Sequence, residues 1–303
     1  MESKILNIVD GAASVKEIRI GQSGAGVYEI NGTQILKHVV RQNLKNVQFT
    51  TYTKEALFYQ FMKDKGKSYI PEISKLSVSE DEIIICMKKY NVLNREDINE
   101  KLLGKIASIL AQIHSESVPD FIDKSKAEIE VLSEEQIGQC FEGWKSVLEE
   151  HPGAFNLGPL EEIKNKINEI ISWQNTEERL LSHGDFHWEN LLEGSDGNLI
   201  VCDWQGVNYG PPSSDLSFFF SRLSADGIKV DQTSFLNKYA QSIRELSGKT
   251  INIVELLRHM AAANVITSFC FWHQYLHGNG KERVDGIYSK MLEDFCVTAM
   301  KNS

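Results

Sequence analysis

The spacing of apolar positions changes character near residue 90. Before it, short apolar runs are broken by turn signals. Residues 18–37 read as two strands folded on Asn31-Gly32, a two-residue hairpin signal. That turn sets Ile30 opposite Thr33, Tyr28 opposite Ile35 and Gly26 opposite Lys37. Residues 53–63 (TKEALFYQFMK) predict a helix with Leu57, Phe58, Phe61 and Met62 inward. A second hairpin is predicted within residues 78–87, with 83–87 as a buried apolar strand. Beyond Asn91 the period becomes helical: Leu102, Leu103, Ile106, Ile109, Leu110 and Ile113 share one face. Ser133-x-x-Gln136 forms a capping box for a helix running through Glu150. Another helix is expected over 159–173, a short strand over 200–202, and further helices after Asp215. The pattern predicts an α+β chain: a small mixed-sheet lobe over 1–90, a junction at 88–95, and a larger, mainly helical lobe over 96–303.

Composition narrows the possibilities. The 303 residues are 42% hydrophobic and 24% charged, an ordinary globular balance. Lysine and arginine number 32 against 42 acids, a net charge of -10 that excludes a basic nucleic-acid surface. The five cysteines form no CxxC pair and sit mostly in apolar runs, as reduced thiols of a cytoplasmic protein do. Residues 255–276 are the least polar stretch, yet Arg258, His259, Asn264 and His273 make them a buried helix rather than a membrane span.

The chemistry concentrates in three places. IGQSGAGVY sets Gly21, Ser23, Gly24 and Gly26 at the bend before a strand, where glycine lets backbone N–H groups approach phosphates. In the expected register this bend receives Lys37, with Tyr28 and Ile35 as an apolar patch for a purine. Glu55, on the following helix, is positioned to pair with Lys37. A solvated strand-end lysine and a solvated helix acid are the plain alternatives.

The second place is LSHGDFHWENLL, where Asp185 is followed five positions on by Asn190; the third is Asp203, just after an apolar strand. Phosphoryl transfer needs oxygen ligands for Mg²⁺ and a carboxylate that accepts a hydroxyl proton, and D-x-x-x-x-N is a kinase catalytic-loop spacing. HGDFHWEN resembles the HGDxxxxN box of the aminoglycoside phosphotransferase and choline kinase superfamily, which has a protein-kinase-like, bilobal fold. GQSGAGVY with ILKH resembles the glycine loop and lysine strand of bacterial aminoglycoside kinases. LAQIHSESVP and GPPSSDLSFFF are similar to further segments of that superfamily.

The resemblance implies a role for each matching residue. Asp185 would be the catalytic base, Asn190 and Asp203 the Mg²⁺ ligands, Lys37 the phosphate contact and Glu55 its partner. Backbone near Met87, Lys88 and Tyr90 would meet the purine edge. His183 and Asp215 would be structural supports of the loop. Trp188, Glu189, Gln205, Trp272 and His273 are candidates for the acceptor pocket. ATP or GTP would be the donor, and the acceptor a small cationic molecule, an aminoglycoside first and choline or ethanolamine next. A monomer is expected. Trp204-Gln205 replaces the Phe-Gly of protein kinases, and the span from Asp203 to Asp215 is too short for an activation loop, which disfavours protein substrates. Two other classes stay open: a metal-dependent hydrolase using His183, Asp185, His187 and Asp203, and an inactive nucleotide-binding module.

Overall fold

A computed structural model describes residues 8–9, 11–18 and 24–299. The glycine-loop positions Gly21 and Ser23 lie outside the described residues. Five strands, β1 (Val15–Glu17), β2 (Gly26–Ile30), β3 (Gln34–Val40), β4 (Ile73–Val78) and β5 (Glu82–Lys88), form a sheet ordered β1-β2-β3-β5-β4 with antiparallel pairings. Helix α1 (Asn46–Asp64) covers one face.

The β2–β3 register differs from the sequence expectation by one residue. Asn31 (φ 52°) and Gly32 (φ 70°) both take the left-handed conformation, and Thr33 N–H donates to the Ile30 carbonyl at 3.1 Å. Thr33 then leaves the ladder, its carbonyl accepting from Lys89 N–H at 2.8 Å, so pairing resumes at Gln34 opposite Ile30. Lys37 therefore faces Val27, not Gly26, and Tyr28 faces Leu36. A one-residue slip turns side chains to the other face. Tyr28 lies buried with Val9, Ile30, Leu36, Ile84 and Cys86, away from Lys37, and Val27 and Ile35 take its place beside the lysine.

Helix α1 begins seven residues before the expected Thr53, because the Gln48 side chain caps Lys45 N–H at 3.1 Å. Its buried face is Phe49, Tyr52, Glu55, Ala56, Phe58, Tyr59 and Met62, so Phe58 and Met62 point inward as expected; Leu57 falls off that face and is exposed.

The short strand β6 (Asn91–Val92) pairs with β8 (Leu191–Glu193), which pairs with β9 (Leu199–Val201). Strands β7 (Leu180–Ser182) and β10 (Asn208–Gly210) form a separate ribbon. Around them lie α2 (Glu100–His114), α3 (Glu134–Glu149), α4 (Gly158–Gln174), α5 (Pro212–Ala225), α6 (Gln232–Ser247) and α7 (Ile253–Thr267). A π-turn (Ser268–Trp272), the short α8 (His273–Leu276) and α9 (Lys281–Ala299) complete the chain. The Ser133–Gln136 capping box is present at the start of α3. α5 starts before Asp215 because Pro212 is preset for a helical first turn. No helix among the described residues is long and apolar enough to cross a membrane.

One apolar core runs from the sheet through α1 into α2, α5 and α6; Phe58 of α1 packs at a tilt against Trp204, ring centroids 4.3 Å apart. A second core joins α3, α4, α7 and α9. The lysine strand and the HGDFHWEN segment are thus held by a continuous packed interior.

Candidate active site

Lys37 projects from β3 into the space between sheet and helical layer. Its ammonium lies 2.8 Å from Glu55 Oε2 and 3.0 Å from Asp203 Oδ1. The expected pair with Glu55 is present, and the lysine spans both carboxylates. Burial works against its charge, but Glu55 and Asp203 outweigh it and hold the ammonium well above the usual lysine range. Burial likewise opposes the Asp203 carboxylate, yet Lys37 keeps its pKa below the usual value. Both groups stay ionised at neutral pH.

Asp203 sits in the left-handed region (φ 63°), a strained conformation for a non-glycine residue. Its surroundings fix it there. Its N–H donates to the Tyr59 hydroxyl at 3.2 Å, and Gln205 Nε2 donates to its Oδ1 at 2.5 Å. Gln205 thus supports the aspartate.

Asp185 follows β7. Asn190 Nδ2 donates to the Asp185 carbonyl at 2.9 Å and to its Oδ2 at 3.3 Å. The Asn190 carbonyl accepts from Cys202 N–H at 3.0 Å, which brings Asn190 beside Asp203. The five-residue spacing thus closes a loop, and the β8–β9 hairpin returns Asp203 to it.

Beneath the loop, His183 is fully buried. Its Nε2 donates to the Cys202 carbonyl at 3.0 Å and its Nδ1 accepts from Asp185 N–H at 3.2 Å. Burial lowers its pKa, so it is a neutral scaffold with both ring nitrogens engaged. That engagement removes His183 from the hydrolase ligand set, and no group of three or more metal-binding side chains converges among the described residues. Asp215 accepts from His183 N–H (2.7 Å), Gly184 N–H (2.8 Å) and His114 Nε2 (3.2 Å). Burial opposes its charge, but these donors, His114 first, keep its carboxyl below the usual range.

Gly184 carries φ 80°, and a Cβ there would lie 2.1 Å from the Gly206 carbonyl oxygen. Gly184→Ala should cost about 2–4 kcal/mol of stability and most of the activity, because loop and the turn after Asp203 are in backbone contact. Thermal unfolding with a turnover assay measures both; an unshifted melting temperature would refute the close packing.

The acceptor candidates separate. Trp188 Nε1 donates to Asp226 Oδ2 at 2.8 Å, and Glu189 pairs with Arg222, so both are tied to α5. His187 lies between Asp185 (3.7 Å) and Glu189 (3.5 Å). Trp272 packs with the second core, and the His273 ring fills the space left by Gly143 on α3. At the lobe junction Lys88 and Lys89 N–H groups are committed to the Glu72 and Thr33 carbonyls. The Lys88 and Tyr90 side chains line a separate groove with Lys63, Pro71 and Asp196. Met87 is buried and pairs with Ile35, which carries the junction onto the strand bearing Lys37. Sequence reasoning missed Tyr59, His114 and Tyr239, whose hydroxyl bonds His114 Nδ1 at 2.7 Å. Tyr59 stands one helical turn after Glu55 and His114 lies in the LAQIHSESVP segment, both usable signals; Tyr239 is a long-range contact with none.

Comparison with solved structures finds the same fold over nearly the whole chain. A complex of gentamicin with the aminoglycoside phosphotransferase APH(2")-IIa matches at 17% identity and TM-score 0.59, covering 99% of this chain and 96% of that one. The spectinomycin phosphotransferase APH(9)-Ia with ADP and spectinomycin matches at 15% identity and TM-score 0.58, covering 98% and 97%. Choline kinase LicA from Streptococcus pneumoniae matches at 17% identity and TM-score 0.57, covering 98% and 97%. No curated protein sequence matches. A family model matches residues 34–252, a span reaching from the lysine strand through the HGDFHWEN segment to α6, and the chain belongs to the ecdysteroid kinase-like family.

Proposed function

We propose that this protein transfers the γ-phosphoryl group of ATP or GTP to a hydroxyl of a small cationic molecule, an aminoglycoside in the leading reading. The observation that carries it is the Lys37 ammonium between Glu55 and Asp203, joined through Asn190 to Asp185. A buried ammonium pinned by two carboxylates is preorganised to hold phosphate oxygens without reorganising. Val27 and Ile35 offer the adjacent apolar surface for a purine.

Asn190 and Asp203 fit a divalent cation: the asparagine donates through its nitrogen, leaving its amide oxygen, and Asp203 stays ionised. Bound there, Mg²⁺ would neutralise phosphate charge. Asp185, half exposed, orients the acceptor hydroxyl and accepts its proton. The protein would act as a cytoplasmic monomer.

One feature supports the acceptor class. Residues 120–150 carry nine acids against three lysines, a field that attracts cations. The family name favours a second acceptor, a hydroxylated ecdysteroid.

A coupled assay with ATP and with GTP across aminoglycosides, choline, ethanolamine and an ecdysteroid tests the proposal. Aminoglycoside turnover is expected. Turnover on choline or ecdysteroid alone overturns the aminoglycoside reading, and nucleotide binding without transfer to any acceptor overturns the enzyme.

A further inference from the structure

Helix α5 carries Asp215, the carboxylate that holds the backbone of His183 and Gly184, yet it has no cap of its own. Its N-cap residue is Pro211, without a side-chain oxygen, and Pro212 has no N–H. Ser213 N–H is the first donor of the helix, and helix-end donors need partners. That partner comes from another part of the chain. Glu177 Oε1 accepts from Ser213 N–H at 3.2 Å, and its Oε2 accepts from the Ser213 hydroxyl and from Gln174 Nε2 at 3.1 Å. Gln174 Nε2 also reaches Ser213 Oγ at 2.7 Å, and both residues are fully buried. Arg179 Nη1 holds the Glu177 carbonyl at 3.0 Å. Glu177 stands three residues before β7, the strand that leads into His183.

We propose that Glu177 is a positioning residue for the catalytic loop, capping α5 at Ser213 so that Asp215, two residues on, holds the His183 and Gly184 amides in register. It touches no reacting group and acts through Ser213 and Asp215. A buried carboxylate is a costly cap, and its side chain is only 9% exposed. The cost fits a site where one anion must fix both the helix and the approach to the loop.

All three donors point at the carboxylate, so the ionised form is the matched brace. Burial pushes Glu177 up to about 7, against Ser213, Arg179 and Gln174. The other groups around it keep their charge in that range. His259, 3.9 Å away on α7, is pushed down to about 4 by burial and by Arg179 and Arg258. Burial holds the Tyr239 hydroxyl of α6 well above its usual value, Glu177 adding to it, and Arg179 stays cationic. The brace therefore strengthens as pH rises through neutrality.

The test is an amide NMR titration of full-length wild type, Glu177→Gln and Ser213→Ala, with turnover measured in parallel. His183 and Gly184 amide resonances should shift with a midpoint near pH 7 in wild type and stay flat in Glu177→Gln. Glu177→Gln should lower kcat on the order of 10-fold with the nucleotide KM unchanged. Ser213→Ala should move both readouts in the same direction, and serves where the Glu177 variant fails to fold. Amides that are flat in wild type, or that titrate equally in Glu177→Gln, overturn the proposal. The turnover readout rests on the kinase reading, but the amide readout does not: titrating amides in a protein without phosphoryl transfer would sink the kinase and leave the brace standing.

Discussion

Asp185→Asn should lower turnover on the order of 10²–10⁴-fold while leaving the fold and nucleotide affinity in place. The substitution is nearly isosteric, and the Asn190 amide bond to the residue 185 backbone carbonyl survives it. The side chain is 44% exposed, so the change buries no unpaired group. What is lost is an oxygen that can accept the acceptor hydroxyl's proton, a loss confined to the transition state. Such a change lowers kcat and kcat/KM together, whereas a binding defect raises KM alone. Steady-state kinetics on the acceptor identified in the coupled assay separate the two. Wild-type turnover in Asp185→Asn would remove the base from the mechanism, and with it the reason for reading the D-x-x-x-x-N segment as catalytic.

That segment was legible in the sequence because its chemistry is local. Asp185, Asn190 and the strand before Asp203 lie within nineteen positions, and the backbone between them has few ways to close. The helical lobe was legible for a similar reason: a sustained period and a capping box identify α2 and α3 without tertiary knowledge. The hairpin register was not. Asn31-Gly32 forms the expected turn, but whether Thr33 rejoins the ladder depends on Lys89, more than fifty residues away. That one contact moved Tyr28 off the face that carries Lys37 and put Val27 on it. The supports beneath the loop were hidden for the same reason. His114 stood in the LAQIHSESVP segment, but Tyr239, which holds its ring, and Glu177, which meets the helix of Asp215, arrive only after α6 and the end of α4 have packed, and no spacing rule connects them. Trp272 and His273 were chosen for chemistry on an apolar helix, and packing against α3 governs their positions.

The second large effect belongs to Lys37, where activity and stability can be separated. Lys37→Ala should lower turnover about 10²–10³-fold by removing the cation aimed at the phosphates. It should also destabilise the fold by about 3–5 kcal/mol, because Glu55, 1% exposed, is left as an uncompensated buried carboxylate. Asp203 adds little to that penalty, its side chain being 40% exposed and open to water. Burial already raises the Glu55 pKa above the usual value even beside Lys37. Without the lysine it rises further, since the opposing attraction is gone. A carboxyl with a raised folded pKa costs stability above that pKa and none below the unfolded value, so the gap between variant and wild type should narrow as pH falls. Adding Glu55→Gln to Lys37→Ala should recover most of the stability and none of the turnover. Denaturant unfolding of wild type, both single variants and the double, with kinetics on each, forms the cycle. Recovered turnover in the double variant would show that Lys37 serves only to neutralise Glu55. An unrecovered stability would place the cost in lost packing of the lysine stem rather than in the stranded charge.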